Sequence, residues 1–169
     1  MKVLAIDPGY GRCGIAVVER VGMKDALLYS ACIETTPELD FNQRLASVAA
    51  ECERILALHA ADCLALEKLF FAKNRTTAMR VAEVRGALLN LAASRNLPVH
   101  EYAPSEIKSA TTGSGRADKA QIAKMLHLLV KIEKPIRHDD EYDAIAIGLT
   151  HLVHSGSLAA RSRAQSRLE

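Results

Sequence analysis

Three apolar runs in this chain each meet a carboxylate at one end, and that arrangement limits what the chain can fold into. Val3-Leu4-Ala5-Ile6 ends on Asp7, which opens the turn sequence Pro8-Gly9-Tyr10-Gly11. Cys63-Leu64-Ala65-Leu66 ends on Glu67, and Asp140 and Asp143 open a third and longer apolar segment. Short apolar runs bounded by turn residues read as buried strands. A carboxylate at the end of a buried element is held rigidly, and several converging on one point repel unless a cation neutralises them. Hard oxygen ligands of this kind suit Mg²⁺ or Mn²⁺ rather than zinc. Such a cluster is suited to phosphoryl chemistry.

The pattern between the runs fixes their connection. Val3–Asp7, Cys13–Val18 and Ala26–Thr35 are expected as an antiparallel meander around the Pro8–Arg12 turn. Pro37 and Asp40 then introduce a helix with Phe41, Leu45, Val48, Cys52, Ile55 and Leu56 on one face. A strand at Cys63–Glu67 after that helix implies a crossover to a parallel neighbour. A helix from Asn74 or Thr76 to Ser94 follows, with apolar positions at Met79, Ala82, Gly86, Leu89 and Ala93 that are small or flexible. Val99–Tyr102 is the next strand, and Pro104 starts a short helix. Thr111–Ala117 reads as a loop and Asp118–Val130 as an amphipathic helix. The last helix is expected from Asp139 or Asp140 to about Val153. The sum is an α/β domain over residues 1–154, a mixed five-stranded sheet flanked by helices, with a disordered basic tail at 155–169.

The 169 residues suit one domain, and 49% apolar with 25% charged residues is an ordinary globular composition. No run approaches the ~18 apolar residues of a membrane span, and the first residues form a strand pattern rather than a signal peptide, so a cytoplasmic protein is expected. Cys13, Cys32, Cys52 and Cys63 form no C-x-x-C pair and read as reduced, buried thiols. The net charge of +2 understates local charge. Lys68, Lys73, Arg75, Arg80 and Arg85 face only Glu67 and Glu83 in one stretch, while Lys108, Arg116, Lys119 and Lys124 face only Asp118 in another. Basic clusters near acidic ligands match a phosphodiester substrate. Phe70 and Phe71, between Lys68 and Lys73, are read as core residues or as platforms for unstacked bases.

Taken singly, each feature has an ordinary explanation. D-P-G-Y-G can be only a tight turn, Glu67 can pair with a neighbouring base, and acids at a helix start answer the helix dipole. Thr112-Gly113-Ser114-Gly115-Arg116 lacks the G-x-x-x-x-G-K-[ST] pattern of a phosphate loop, which argues against nucleotide binding. Asp139 and Asp140 both share a face with Asp143. The start of the apolar pattern at Ala144 puts Asp139 at the N-cap, turned back on its own helix, and Asp140 in the first turn.

Together the motifs form a pattern. L-A-I-D-P-G near the start, A-L-E-K-L-F-F-A-K-N at Ala65–Asn74, V-R-G-A-L-L at Val84–Leu89, Y-A-P-S-E-I-K at Tyr102–Lys108, G-S-G-R-A-D-K-A-Q at Gly113–Gln121 and D-E-Y-D-A-I-A-I-G-L-T-H at Asp140–His151 occur in that order. From about Lys2 to His154 the chain resembles the RuvC family of bacterial Holliday-junction resolvases. The resemblance implies an RNase H-like fold and a homodimeric endodeoxyribonuclease. It implies catalytic and metal-binding roles for Asp7, Glu67, Asp140 and Asp143, with two Mg²⁺ per subunit and Mn²⁺ able to substitute. Products would carry 5′-phosphate and 3′-hydroxyl ends, and the partners would be a four-way DNA junction and the RuvA–RuvB branch-migration complex. Lys119 is the candidate cation beside the developing charge on the phosphate. Phe70, Phe71, Lys73, Arg75, Lys108, Arg116 and Lys119 are the candidate DNA contacts. A junction-binding module without catalysis is the rival class, but a pure binder gains nothing from concentrating anions near phosphates. An actin-like ATPase needs two such lobes, and the length allows one.

Overall fold

In the computed structural model, residues 1–69 and 75–165 are described, with side chains for all of these except Arg75 and residues 157–165. The chain opens as a meander: β1 (Lys2–Asp7), β2 (Arg12–Val21) and β3 (Lys24–Glu34). β1 and β2 pair antiparallel with Asp7 opposite Gly14, and β2 pairs antiparallel with β3 through an irregularity at Val17/Val18. Helix α1 (Phe41–His59) begins at a capping box. Gln43 N donates to Asp40 Oδ1 at 2.9 Å while Asp40 N donates to Gln43 Oε1 at 3.1 Å, which satisfies two otherwise orphaned amides. The helix ends at Ala60 in the left-handed region, and β4 (Cys63–Glu67) follows as the parallel neighbour of β1. After α2 (Arg75–Ser94), β5 (Val99–Tyr102) adds to β4 in parallel. The sheet order is β3-β2-β1-β4-β5, as expected of a mixed five-stranded sheet.

Strand alternation sorts the core into two layers. Val3, Ala5, Ala16, Val18, Cys63 and Ala65 face one side, under the short helices α3 (Pro104–Thr112) and α4 (Lys119–Leu129) and the long helix α5 (Asp139–Gln165). Leu4, Ile6, Ile15, Val17, Leu64 and Leu66 face the other, under α1 and α2. α5 carries the continuous buried run Ala144-Ile145-Ala146-Ile147, which marks it as the central helix of its layer. Gly148 lets it lie close to the sheet, since a Cβ there would stand 2.8 Å from Val18 Cγ2.

Met79, Ala82, Gly86 and Ala93 of α2 face outward, with Met79 65% exposed, while Ala78, Val84, Leu88 and Ala92 face the sheet. The core face is itself small and aliphatic, so composition did not separate the two. α3 extends through Thr112, closing on Gly113 with φ +78°, so Thr111 and Thr112 belong to the helix rather than to the loop. α5 passes Val153 and runs to Gln165. Ser-Ala-Arg sequence lacks an apolar stripe, but Ala and Arg are strong helix formers and propagate a helix that has already nucleated. The thiols are free as expected, Cys13, Cys52 and Cys63 buried and Cys32 half-buried.

Candidate active site

Asp7 and Glu67 are brought side by side by the sheet. Ile6 pairs with Leu66 in the parallel register, so the next residue of each strand is the carboxylate. Counting in twos, Asp7 lies on the face of Val3 and Ala5, and Glu67 on the face of Cys63 and Ala65. Both therefore point under α5, whose first turns supply Asp140 and Asp143.

Close approach of that helix depends on Gly14. It is the strand partner of Asp7, and any Cβ on it would collide with the backbone carbonyl of Asp140. A glycine inside a strand often marks such an approach, which is a signal that sequence reading missed. Glu141, buried between the two helix acids, anchors the same turn. Ser30 Oγ donates to its Oε1 at 2.6 Å and Lys134 Nζ pairs with it at 2.8 Å.

The electrostatics are those of crowded anions. Asp7 is pushed up to about 8, first by burial and then by the carboxylates of Asp143, Glu67 and Asp140, with Lys119 partly relieving it. Burial and the Asp143 charge also raise Glu67, with Lys108 opposing, and burial raises Asp143. Asp140 lies beside Arg12, whose Nε is 3.2 Å from Oδ2. That oxygen is buried and is held by the Arg12 charge rather than by an aligned hydrogen bond. Buried carboxylates crowded together, one of them strongly raised, fit a site for a hard cation.

Lys119 begins α4 and its Nζ pairs with Asp139 Oδ2 at 3.1 Å. Asp139 is therefore not a cap turned back on its own helix, as expected, but the first helical residue, reaching out to a neighbouring cation. Lys108 of α3 is near enough to act on Glu67 and Asp143, whereas Arg116 is exposed beyond the end of α3. Arg75 opens α2, and Phe70, Phe71 and Lys73 lie outside the described residues. His138 is bound on both sides, Nδ1 3.3 Å from Arg12 and Nε2 3.0 Å from Glu34 Oε1. It acts as a bridge between them. Arg12 was missed because a base in a turn carries no sequence sign of its partner.

Beside Asp7 and Glu67 lies a cleft of about 240 Å³ between Pro8, Lys68, Thr77, Val81 and Arg85. A larger hollow of about 670 Å³ lies elsewhere, between β3 and residues 131–134. It contains none of the four acids, and size alone does not identify a site that works on a polymer from its surface.

A family model described as crossover junction endodeoxyribonuclease RuvC matches residues 3–151. A protein of that name from Thermotoga petrophila is 41% identical over 155 residues, covering 92% of this chain and 94% of its own. The structure of Thermus thermophilus RuvC in complex with Holliday junction substrate is similar with a TM-score of 0.85 and 30% identity, covering 92% of this chain and 94% of that one. Another Thermus thermophilus RuvC structure gives 0.82 and 29%, covering 93% and 96%.

Proposed function

The chain belongs to the RuvC family of crossover junction endodeoxyribonucleases, and from that premise we propose that it resolves four-way DNA junctions by paired, symmetric hydrolysis of phosphodiesters. The likeness to a RuvC bound to Holliday junction substrate supports the choice of substrate. One observation carries the chemistry: Asp7 lies buried among Asp143, Glu67 and Asp140, whose charges favour its protonated form until a cation offsets them.

Asp7, Glu67, Asp140 and Asp143 would hold two Mg²⁺ per subunit, with Mn²⁺ able to substitute. Bound there, the ions would neutralise the scissile phosphate and lower the pKa of an attacking water. Asp7 and Glu67 supply fixed positions, because each is the terminal residue of a hydrogen-bonded strand. Asp140, exchanging its pair with Arg12 for the ion, and Asp143 one turn along would supply the other two carboxylates. The water oxygen bonds to phosphorus, the bond to the 3′ oxygen breaks with its electron pair, and the ends are 5′-phosphate and 3′-hydroxyl. Lys119, free to swing from its exposed pair with Asp139, would meet the charge that builds on the phosphate. Lys108 and Arg116 would carry the strand toward the site, together with Lys73 and Arg75 from the start of α2. Phe70 and Phe71 would stack on unpaired bases at the junction centre.

Two-fold symmetry of the substrate calls for a homodimer. The outward stripe of Met79, Ala82, Gly86 and Ala93 on α2 is the face we assign to it. The family relation supports cooperation with RuvA and RuvB in the cytoplasm, and among the described residues no helix is long and apolar enough to cross a membrane. A synthetic immobile junction and a linear duplex of matching sequence, each incubated with Mg²⁺, test the reading. Paired symmetric nicks in the junction alone are expected, and equal cutting of the duplex would overturn it.

A further inference from the structure

A second group of ligating side chains lies under the same helix, two turns beyond the acids, and shares none of their residues. Cys63 starts β4 on the face that also carries Glu67, His100 stands on the edge strand β5, and His151 comes from α5. One ligand atom from each lies within 4.8 Å of the other two. Cys63 Sγ is 3.4 Å from His151 Nε2, and the His100 and His151 rings are 4.3 Å apart between centroids. The Tyr102 hydroxyl meets His151 Nδ1 at 2.7 Å. Cys63 and His151 are each only 4% exposed, whereas His100 opens to solvent.

We propose that Cys63, His100 and His151 form a site for a zinc-class divalent cation, distinct from the four-carboxylate cluster. The donor set is soft sulfur and imidazole, which suits Zn²⁺ or Co²⁺ and is a poor match for Mg²⁺. Three protein ligands with a solvent-facing position leave room for a water as the fourth. Tyr102 supplies the outer support such sites use: with Nδ1–H donating to its hydroxyl oxygen, the Nε2 lone pair is turned toward Cys63. Zn–S of about 2.3 Å and Zn–N of about 2.0 Å require the ligand atoms to draw closer. His100, exposed on an edge strand, can supply that movement by rotating its side chain. Binding breaks the Cys63 S–H bond, forms the sulfur–metal bond and releases one proton to solvent. Because binding releases that proton, affinity should increase with pH.

The ion would tie β4, β5 and α5 together at the end of the sheet opposite Glu67. The test is a Co²⁺ titration of the full metal-stripped chain near neutral pH, read by absorption. A thiolate-to-cobalt charge-transfer band reaching its plateau at one equivalent is expected, bleached by Zn²⁺ and unaffected by excess Mg²⁺. Cys63→Ala should abolish the band, and Tyr102→Phe should weaken binding roughly tenfold. His100→Ala, at an exposed position that leaves the core intact, should weaken it at least as much. Asp7→Asn should leave the titration unchanged, which separates this site from the proposed Mg²⁺ site. Absence of the band in the unmodified chain, or its survival in either Cys63→Ala or His100→Ala at full strength, would overturn the proposal.

Discussion

Two of the four acids sit on strands and two on a helix, and the two pairs are positioned by different physics. Asp7 and Glu67 are fixed by main-chain pairing: β1 and β4 run in parallel, and the residue after Ile6 and Leu66 must fall at the same level of the sheet. Their alternation onto the α5 face follows from the strand period. Asp140 and Asp143 depend instead on where α5 docks. That is decided by Gly14, by the contact of Gly148 with Val18, and by the Ser30–Glu141–Lys134 anchor. The strand pair is thus set by main-chain register and the helix pair by side-chain packing.

The largest effect should come from the strand pair. Asp7→Asn keeps the shape and removes the charge, so cleavage should fall by several orders of magnitude while junction binding is retained or tightened. Nicking and gel-shift assays on one preparation check this. A second consequence concerns stability. An acid whose folded pKa is raised from 3.8 to about 8 penalises folding once it must ionise, and the penalty grows as pH rises through that window. Metal-free Asp7→Asn should therefore melt higher than the parent at pH 8 and equally near pH 4. A parent that is the more stable of the two at pH 8 without metal would contradict the burial account.

Asp140→Asn and Asp143→Asn should each also collapse cleavage by orders of magnitude, and measured single-turnover rates decide whether the helix pair is as necessary as the strand pair. Gly14→Ala breaks the comparison differently, leaving all four acids in place. Its methyl would force α5 away from β2, an overpacking that typically costs about 1–3 kcal/mol. The turnover rate should drop more than junction affinity, because the phosphate contacts survive while the helix acids shift. Equal activity at equal folded concentration would show that α5 has latitude there.

The smallest effect belongs to Asp139→Asn. Its pairing with Lys119 involves side chains 64% and 69% exposed, and such pairs contribute about 0.2–1 kcal/mol. Cleavage should change less than about twofold. If Asp139→Asn is inactive and Asp140→Asn active, the assignment of helix acids reverses.

This division also explains how much was legible in the sequence. The strands, the crossover helix and the placing of Asp7 and Glu67 at strand ends follow from apolar runs and period two, which act over a few residues. The reason for preferring Asp140 to Asp139 did not hold, because Asp139 opens the helix and reaches Lys119 rather than capping its own amides. Arg12 against Asp140, Glu141 against Ser30, and the outward turn of Met79 and Gly86 join residues far apart in the chain or depend on which of two similar helix faces packs. No local pattern encodes such contacts. The glycines at 14 and 148 were clues to helix docking that the sequence did contain.

The central claim is that all four acids converge on shared divalent cations, and anomalous scattering from Mn²⁺ soaked into crystals of the junction complex tests it most directly. The account predicts Mn²⁺ peaks bounded by Asp7, Glu67, Asp140 and Asp143, lost in Asp7→Asn crystals treated alike. Peaks that exclude the strand pair or the helix pair, or that persist unchanged in Asp7→Asn, would contradict it.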